Sequence, residues 1–267
     1  MEDGPAPDPA KQFISYTKEK GLRKIGVLLV VTVFASGAAA DLLYDNGPLI
    51  TTPGGGYQGA DVSELQTAIG ETIYGYGHQV AAGNRIADNF EITDPDGWDL
   101  DQVVFYAYQT NSGNNSTITA VNLKIWDGYP DDPGSNVVFG DYTTNRLAST
   151  SWSGIYRVLD TDPMVTARPI MEDVCDVDVV LPAGTYWIDW QTNGTLSSGP
   201  WAPPTTYPGE ANMPWANALQ NVAGAGWAAV MDVGNDDFPF LVLGTVVPEP
   251  TSLALLGLGA VALIRRR

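Results

Sequence analysis

The stretch Thr117-Ile118-Thr119-Ala120-Val121-Asn122-Leu123-Lys124-Ile125-Trp126 decides the predicted fold, because its apolar and polar residues alternate. Successive side chains of a β-strand point to opposite faces of a sheet, so the alternation predicts a strand with one buried face. The predicted core face consists of Thr119, Val121, Leu123 and Ile125. The other face carries Ile118, Ala120, Asn122, Lys124 and Trp126.

Other segments of the chain extend this pattern on both sides. Residues 103–108, 185–191, 227–232 and 238–246 are rich in β-branched and aromatic residues, which is typical of strands. Clusters of Gly, Pro, Asn and Asp separate the strands. Many short strands joined by such turns predict an all-β protein with an antiparallel β-sandwich or jelly-roll-like domain.

Three segments of the predicted domain depart from the strand pattern. Weak helical periodicity appears at 62–69. Residues 41–83 are rich in Gly, Tyr and Gln, and residues 197–218 contain five prolines. The second of these two stretches is predicted to be a long surface loop between strands.

The C-terminal residues combine three elements in a fixed order. Pro248-Glu249-Pro250 form a rigid, extended tripeptide, because proline fixes φ and lacks a backbone donor. An uncharged apolar segment follows at 253–264, and the chain ends in Arg265-Arg266-Arg267. The arginines favour the cytoplasmic side of a membrane. Residues 251–264 would extend about 21 Å as a helix, which is short for a bilayer core of about 30 Å and suits a transient anchor.

This tail resembles the PEP-CTERM sorting signal of Gram-negative bacteria. The resemblance implies processing by an exosortase, a membrane enzyme that acts at the Pro-Glu-Pro motif. It also implies export and an association with the cell surface or with an exopolysaccharide matrix. The tail specifies a destination, and it does not specify an activity.

The N-terminal region is typical of a secretory signal peptide. A basic pair, Arg23-Lys24, precedes an apolar segment at 25–34, and the small residues Ala38 and Ala40 form an Ala-x-Ala site. The pattern predicts that signal peptidase cleaves between Ala40 and Asp41. The polar residues before it are either a consequence of a mis-assigned start near Leu22 or a cytoplasmic extension.

The predicted organisation therefore has four parts. They are an extension at 1–21, a signal peptide at 22–40, an exported β-sandwich domain at 41–247 and the sorting signal at 248–267. Residues 41–247 contain 26 acidic residues against five basic ones, a net charge of −21. This charge argues against a nucleic-acid partner, which needs clustered Lys and Arg, and makes divalent cations plausible partners.

A turn rich in aspartate is the candidate metal site. Asp94, Asp96, Asp99 and Asp101 lie within eight residues around Gly97. Hard oxygen ligands on a tight turn suit calcium, although the spacing does not match an EF-hand. The alternative is ordinary turn chemistry on solvated loops, and the same alternative applies to Asp127, Asp131 and Asp132. No cofactor is expected, and a structural calcium ion in this turn is the one candidate.

Aromatic residues suggest a possible contact with sugars. Trp201, Tyr207 and Trp215 lie in the predicted surface loop, where exposed rings are able to stack on sugar faces. The tryptophans at 126, 187, 190 and 227 lie in predicted strands, where packing explains most of them.

The sequence contains no recognisable catalytic set. Cys175 is the single cysteine, and its alternating stretch predicts that it is buried beside Val177 and Val179. His78 is the single histidine and is interpreted as a surface or turn residue. A pair of carboxylates for glycoside hydrolysis is not identifiable from the pattern.

The sequence thus predicts an exported, non-enzymatic protein of the cell surface or matrix with a structural or adhesive role. A carbohydrate-binding module is the alternative, and a secreted glycoside hydrolase is the less favoured one. The expected partners are signal peptidase, exosortase and exopolysaccharide, and the membrane is contacted transiently through the C-terminal segment.

Overall fold

The computed structural model of the protein describes residues 40–211 and 213–248. The predicted N-terminal extension, most of the signal peptide including Ala38, and the sorting signal beyond Pro248 lie outside the described residues. The strands of the described part are β1 (Asp41–Asp45), β2 (Asp61–Leu65), β3 (Tyr76–Gly77), β4 (Arg85–Ile92), β5 (Trp98–Ala107), β6 (Ile118–Trp126), β7 (Val137–Asp141), β8 (Leu147–Leu159), β9 (Pro169–Leu181), β10 (Gly184–Gly194), β11 (Trp201–Ala202), β12 (Leu219–Asn221), β13 (Trp227–Ala229) and β14 (Phe240–Val246). Short 3₁₀ helices lie at Tyr57–Gly59, Thr67–Ile69 and Val80–Ala82.

The strands form two six-stranded sheets, which confirms the all-β prediction. The first sheet has the order β1-β14-β5-β9-β8-β2, and the second has the order β13-β12-β4-β10-β6-β7. β3 and β11 form a separate two-stranded sheet. Pairing within the two large sheets is antiparallel, except that β2 runs parallel to β8.

One continuous apolar core joins the inner faces of the two large sheets. β5 and β14 contribute Phe105 and Phe240, and β10 contributes Trp190. Cys175 and Val177 of β9 are buried in the same core, as the sequence predicts. The layers are therefore those of a β-sandwich, with side chains from both inner faces in contact.

The alternation of β6 is confirmed over most of the strand. Val121, Leu123 and Ile125 are completely buried in the core. The prediction is wrong at the start of the strand, where Thr119 is exposed and Ile118 packs in the core. The pairing of β6 with β10 shifts register between Asn193 and Gly194, and such a bulge reverses which side chains face inward.

The three segments that lack a clear strand pattern are more ordered than predicted. Residues 62–69 do not form an α-helix, because β2 and the 3₁₀ helix Thr67–Ile69 cover them. Residues 41–83 contain β1, β2 and β3. The predicted surface loop at 197–218 begins with β11, and residues 202–206 are buried.

Both ends of the domain lie on one strand pair. β1 begins at Asp41, the residue predicted to follow the signal cleavage site. β1 runs antiparallel to β14, and Asp41 is opposite Gly244. The first residue of the domain therefore lies beside the end of the last strand, which leads directly to the exposed Pro248.

Candidate functional site

The four aspartates of the candidate calcium turn have separate environments. The Asp94 carboxylate accepts a hydrogen bond from the backbone N–H of Asp96 at 3.1 Å, which is ordinary turn chemistry. Asp99 and Asp101 belong to β5. Among the described residues, no group of three or more His, Cys, Asp or Glu side chains is placed to hold a metal ion. The structure therefore does not bring Asp94, Asp96, Asp99 and Asp101 together as a ligand set.

The second aspartate cluster also divides among different partners. Asp127 accepts hydrogen bonds from both the backbone and the side-chain amide of Asn136. Asp132 accepts one from the backbone N–H of Gly134 at 2.8 Å. Asp131 instead contacts Arg85 on another strand. Two of these carboxylates stabilise their own turn, and the third joins a cluster described below.

The predicted sugar-stacking residues are only partly brought together. Trp215 is 60% exposed, and its ring lies edge-on to that of Tyr207 with the centroids 6.2 Å apart. Trp201 is half-buried, because β11 pairs it with Gly77 of β3. It lines a cavity of about 250 Å³ with Tyr74 and Arg168. Tyr207 and Trp215 thus form an exposed pair, whereas Trp201 belongs to a different surface.

A charged and aromatic cluster on the outer face of the second sheet was not predicted from the sequence. We call it the outer-face cluster, and its members are Arg85, Lys124, Trp126, Asp131, Tyr142, Asp189 and Trp227. Arg85 lies over the rings of Tyr142 and Trp227, with its guanidinium carbon 4.3 and 4.8 Å from the two centroids. Lys124 lies over the Tyr142 ring at 3.6 Å. Such contacts stabilise partly desolvated cations.

Asp189 provides the buried negative charge of the outer-face cluster. Its Oδ2 accepts hydrogen bonds from the Trp126 indole and, at 3.0 Å, from the Tyr142 hydroxyl. Its Oδ1 lies 3.9 Å from Arg85. Burial raises the pKa of Asp189 to about 7, although Arg85, Trp126 and Lys124 act in the opposite direction. The neighbours therefore compensate only part of the desolvation cost.

The outer-face cluster also fixes the connection between β6 and β7. Asp131, in that connection, accepts a hydrogen bond from the Trp227 indole at 2.9 Å and pairs with Arg85 at 2.9 Å. Tyr129, in the same connection, packs on Trp187 of β10 with the centroids 5.3 Å apart. Trp187 and Asp189 alternate with Tyr186, Ile188 and Trp190 along β10 and so share one face, and this alternation was the one sequence signal for the cluster.

Three further carboxylates with raised pKa values are buried side chains of the domain. Burial raises the pKa of Asp173 to about 7 and that of Asp236 to about 6, and it raises the pKa of Asp88 as well. Neither these residues nor Asp189 line the cavities at Tyr57, Pro200, Leu42, Tyr74 or Tyr129 in the described part of the chain. Burial alone explains the direction of their pKa shifts.

The interpretation of His78 as a surface or turn residue is wrong. The side chain is fully buried next to β3, and its Nδ1 lies 3.4 Å from the Tyr76 carbonyl oxygen. Burial lowers the pKa of His78 to about 4, so the ring is neutral at physiological pH. The chain segment around it gave no apolar pattern from which this burial could have been predicted.

No helix in the described ranges is long and apolar enough to span a membrane. The predicted membrane segment at 253–264 lies outside those ranges.

Comparison with known proteins identifies the C-terminal region. Residues 246–267 match the family model of the PEP-CTERM protein-sorting motif. No curated protein and no solved structure matched the chain. The matched region begins at Val246, the last residue of β14, so the motif directly follows the folded domain. The chain therefore carries a C-terminal PEP-CTERM protein-sorting motif, which implies export and processing by an exosortase.

Proposed function

We propose that residues 41–247 form a non-catalytic structural or adhesive component of the cell surface or of an exopolysaccharide matrix. The observation that carries this proposal is the position of the sorting motif, which begins where β14 ends. A domain joined to its sorting motif without an intervening linker would be held next to the processing enzyme and then released outside the cell.

The charge of the domain supports an extracellular role. Residues 41–247 have a net charge of −21, which favours solubility and disfavours adsorption to anionic lipid surfaces. The same charge gives the domain affinity for cations that are shared with an acidic polysaccharide.

The placement of carboxylates supports a non-catalytic role. Glycoside hydrolysis uses two carboxylates on opposite sides of a bound sugar, at separations of roughly 5 to 9.5 Å. A cavity of about 470 Å³ beside β8 has Asp61 as its single acidic wall residue. The carboxylates with raised pKa values lie elsewhere in the interior.

Carbohydrate binding is the second candidate function. Exposed aromatic side chains favour it, since Trp215, Tyr57 and Tyr129 all present rings to solvent.

Fractionation of the native host tests the main proposal. The full-length chain and a variant lacking 248–267 are expressed at equal levels, and their masses and locations are compared. We expect the unaltered chain in the surface or matrix fraction with the segment after the motif removed, and the truncated variant absent from that fraction. Equal distribution of the two, or recovery of unaltered protein that still ends in Arg265-Arg266-Arg267, would contradict the proposal.

A further inference from the structure

A cavity lies between the loop before β2 and the distorted part of β8. Its volume is about 470 Å³, within the range of small-molecule sites. The side chains that define its chemistry are Tyr57, Gln58, Asp61, Asn114, Trp152 and Tyr156. Three aromatic rings and three oxygen-bearing side chains therefore share one cavity.

The aromatic wall on β8 is held by specific contacts. The Trp152 indole N–H donates to the backbone oxygen of Ile155 at 3.1 Å, which fixes the ring. The rings of Trp152 and Tyr156 have centroids 5.1 Å apart. The Tyr156 hydroxyl donates to Asn114 Oδ1 at 3.0 Å and thereby orients that amide. The wall is thus arranged before any ligand arrives, which lowers the entropic cost of binding.

A bulge in β8 opens the cavity beside Trp152. The pairing of β8 with β9 changes register between Trp152 and Ile155. Gly154 lies in this bulge with φ +87°, a conformation that other residues rarely adopt, and a Cβ added there would meet no atom within 4 Å. The strand therefore bends away and leaves open space where a regular strand would have a side chain.

The loop that carries Tyr57 is also fixed. Backbone hydrogen bonds between Thr52 and Val62 close its base, and the Gly54 N–H donates to Asp61 Oδ1 at 2.7 Å. Within it, Gln58 has φ 56°, a strained conformation for this residue. Tyr57 nevertheless stays 46% exposed. A large aromatic side chain is thus presented to solvent at the edge of the cavity by a well-hydrogen-bonded loop.

We propose that this cavity is a binding site for neutral sugar residues of a polysaccharide. The C–H face of a pyranose ring packs on the negative face of an aromatic ring, here Tyr57 or Trp152. The side chains of Gln58, Asp61 and Asn114 provide donors and acceptors for sugar hydroxyls. The binding of an acidic sugar is disfavoured, because the cavity wall contains no Lys or Arg and the surrounding domain is strongly negative.

Binding of defined oligosaccharides to the full-length chain, purified in detergent, tests the inference. The probes are the glucose hexasaccharides maltohexaose, laminarihexaose and cellohexaose, with hexamannuronate as the acidic comparison. We expect calorimetry to detect binding of at least one neutral probe and none of hexamannuronate. Failure of all three neutral probes to bind, or preference for the acidic probe, overturns the proposal.

Variants locate the binding site. Tyr57→Ala is expected to weaken the binding of the neutral probe about tenfold or more, while Tyr57→Phe retains most of it. Because Tyr57 is half exposed, the alanine variant is expected to fold, and an unchanged melting temperature verifies this. Trp215→Ala is the matched control for an exposed ring outside the cavity. A loss in Trp215→Ala without a loss in Tyr57→Ala would overturn the assignment. Neither result depends on where the cell delivers the protein, so the proposed location stands or falls separately.

Discussion

The rings of Phe105 and Trp190 stack between the two sheets, with their centroids 4.4 Å apart and their planes inclined by 19°. Phe105 belongs to β5 and Trp190 to β10, so the contact joins the inner faces of the two sheets. The Trp190 ring also packs edge-to-face with Phe238 and Phe240, at centroid distances of 5.8 and 6.2 Å. Trp190 is therefore the central aromatic residue of the core.

We expect Trp190→Ala to destabilise the protein by about 3–5 kcal/mol, because the truncation leaves a large cavity between the sheets. Denaturant unfolding of the full-length chain measures the loss. Trp190→Phe should cost much less, since the indole N–H has no hydrogen-bond partner among the described residues and its removal leaves no polar group unpaired. The control is Trp215→Ala, at an exposed position, with a change within about 0.5 kcal/mol. Equal effects at Trp190 and Trp215 would refute the central role of Trp190.

Asp173 is expected to make the stability of the protein fall as the pH rises from about 4 to about 7. Burial raises its pKa from the ordinary 3.8 to about 7, although the Thr150 hydroxyl donates to Oδ1. The folded state therefore binds a proton more tightly than the unfolded state across this window, and stability decreases as that proton is lost. This shift in the pKa of Asp173 corresponds to a loss of at most about 4 kcal/mol in the free energy of unfolding.

Asp173→Asn tests this sign, since the amide keeps the shape and never ionises. We expect the variant to match the unaltered chain near pH 4 and to be more stable at pH 8. Asp176→Asn, on the exposed face of the same strand, is the control and should not change the pH profile in this direction. If the stability of Asp173→Asn depends on pH in the same way as that of the unaltered chain, the Asp173 carboxyl is not the titrating group.

Arg85→Met should destabilise the protein more at pH 8 than at pH 5. Arg85 is the nearest cation to the buried carboxylate of Asp189, whose pKa is about 7, so the compensation that it provides matters most when Asp189 is ionised. The loss at pH 8 is expected to be about 3 kcal/mol. The ion pair between Arg85 and the half-exposed Asp131 adds little to the stability, because solvent screens it.

Arg146→Met provides the matched control for Arg85→Met. Arg146 also lies over an aromatic ring, that of Phe139 at 4.6 Å, and forms no ion pair within the described part of the chain. The replacement of Arg146 should lower the free energy of unfolding by a similar amount at pH 5 and at pH 8. Limited proteolysis adds an independent measurement, because loss of Arg85 should expose the connection between β6 and β7 to cleavage.

The exported form should begin at Asp41, since the sequence predicts signal cleavage after Ala40 and β1 starts at the next residue. N-terminal peptide mapping of protein from the envelope or matrix checks this. Ala38→Leu with Ala40→Leu should block cleavage and leave a larger precursor in the membrane, because signal peptidase requires small residues there. A mature N-terminus upstream of residue 22 would contradict the predicted signal peptide.

Strand periodicity correctly predicted the features that depend on one strand alone, such as which of its side chains are buried. Val121, Leu123 and Ile125 are buried as expected. The exchange of Ile118 and Thr119 was not predictable, because its cause is a bulge in β6, where one step along β10 from Asn193 to Gly194 spans Ala120 to Ile118. A pattern within one strand contains no information about the register of its neighbour.

The side-chain clusters were not predictable for a related reason. Arg85 reaches Asp131 from a different strand, and Trp227 reaches the same carboxylate from near the other end of the domain. These three side chains are in contact because the strand order of the second sheet places them side by side. Similarly, Trp152 and Tyr57 share a cavity because β2 pairs with β8, a long-range parallel pairing that local composition does not reveal.

The position of Asp41 opposite Gly244 constrains how the domain assembles during secretion. A chain that crosses the membrane with its N-terminus first delivers β1 early, whereas β14, the neighbour of β1 in the first sheet, crosses last. The edge of this sheet therefore stays incomplete until the sorting motif itself reaches the membrane. Such long-range pairing is slow to form, so we expect β1 to lack its strand partner for most of the time that the chain takes to cross the membrane.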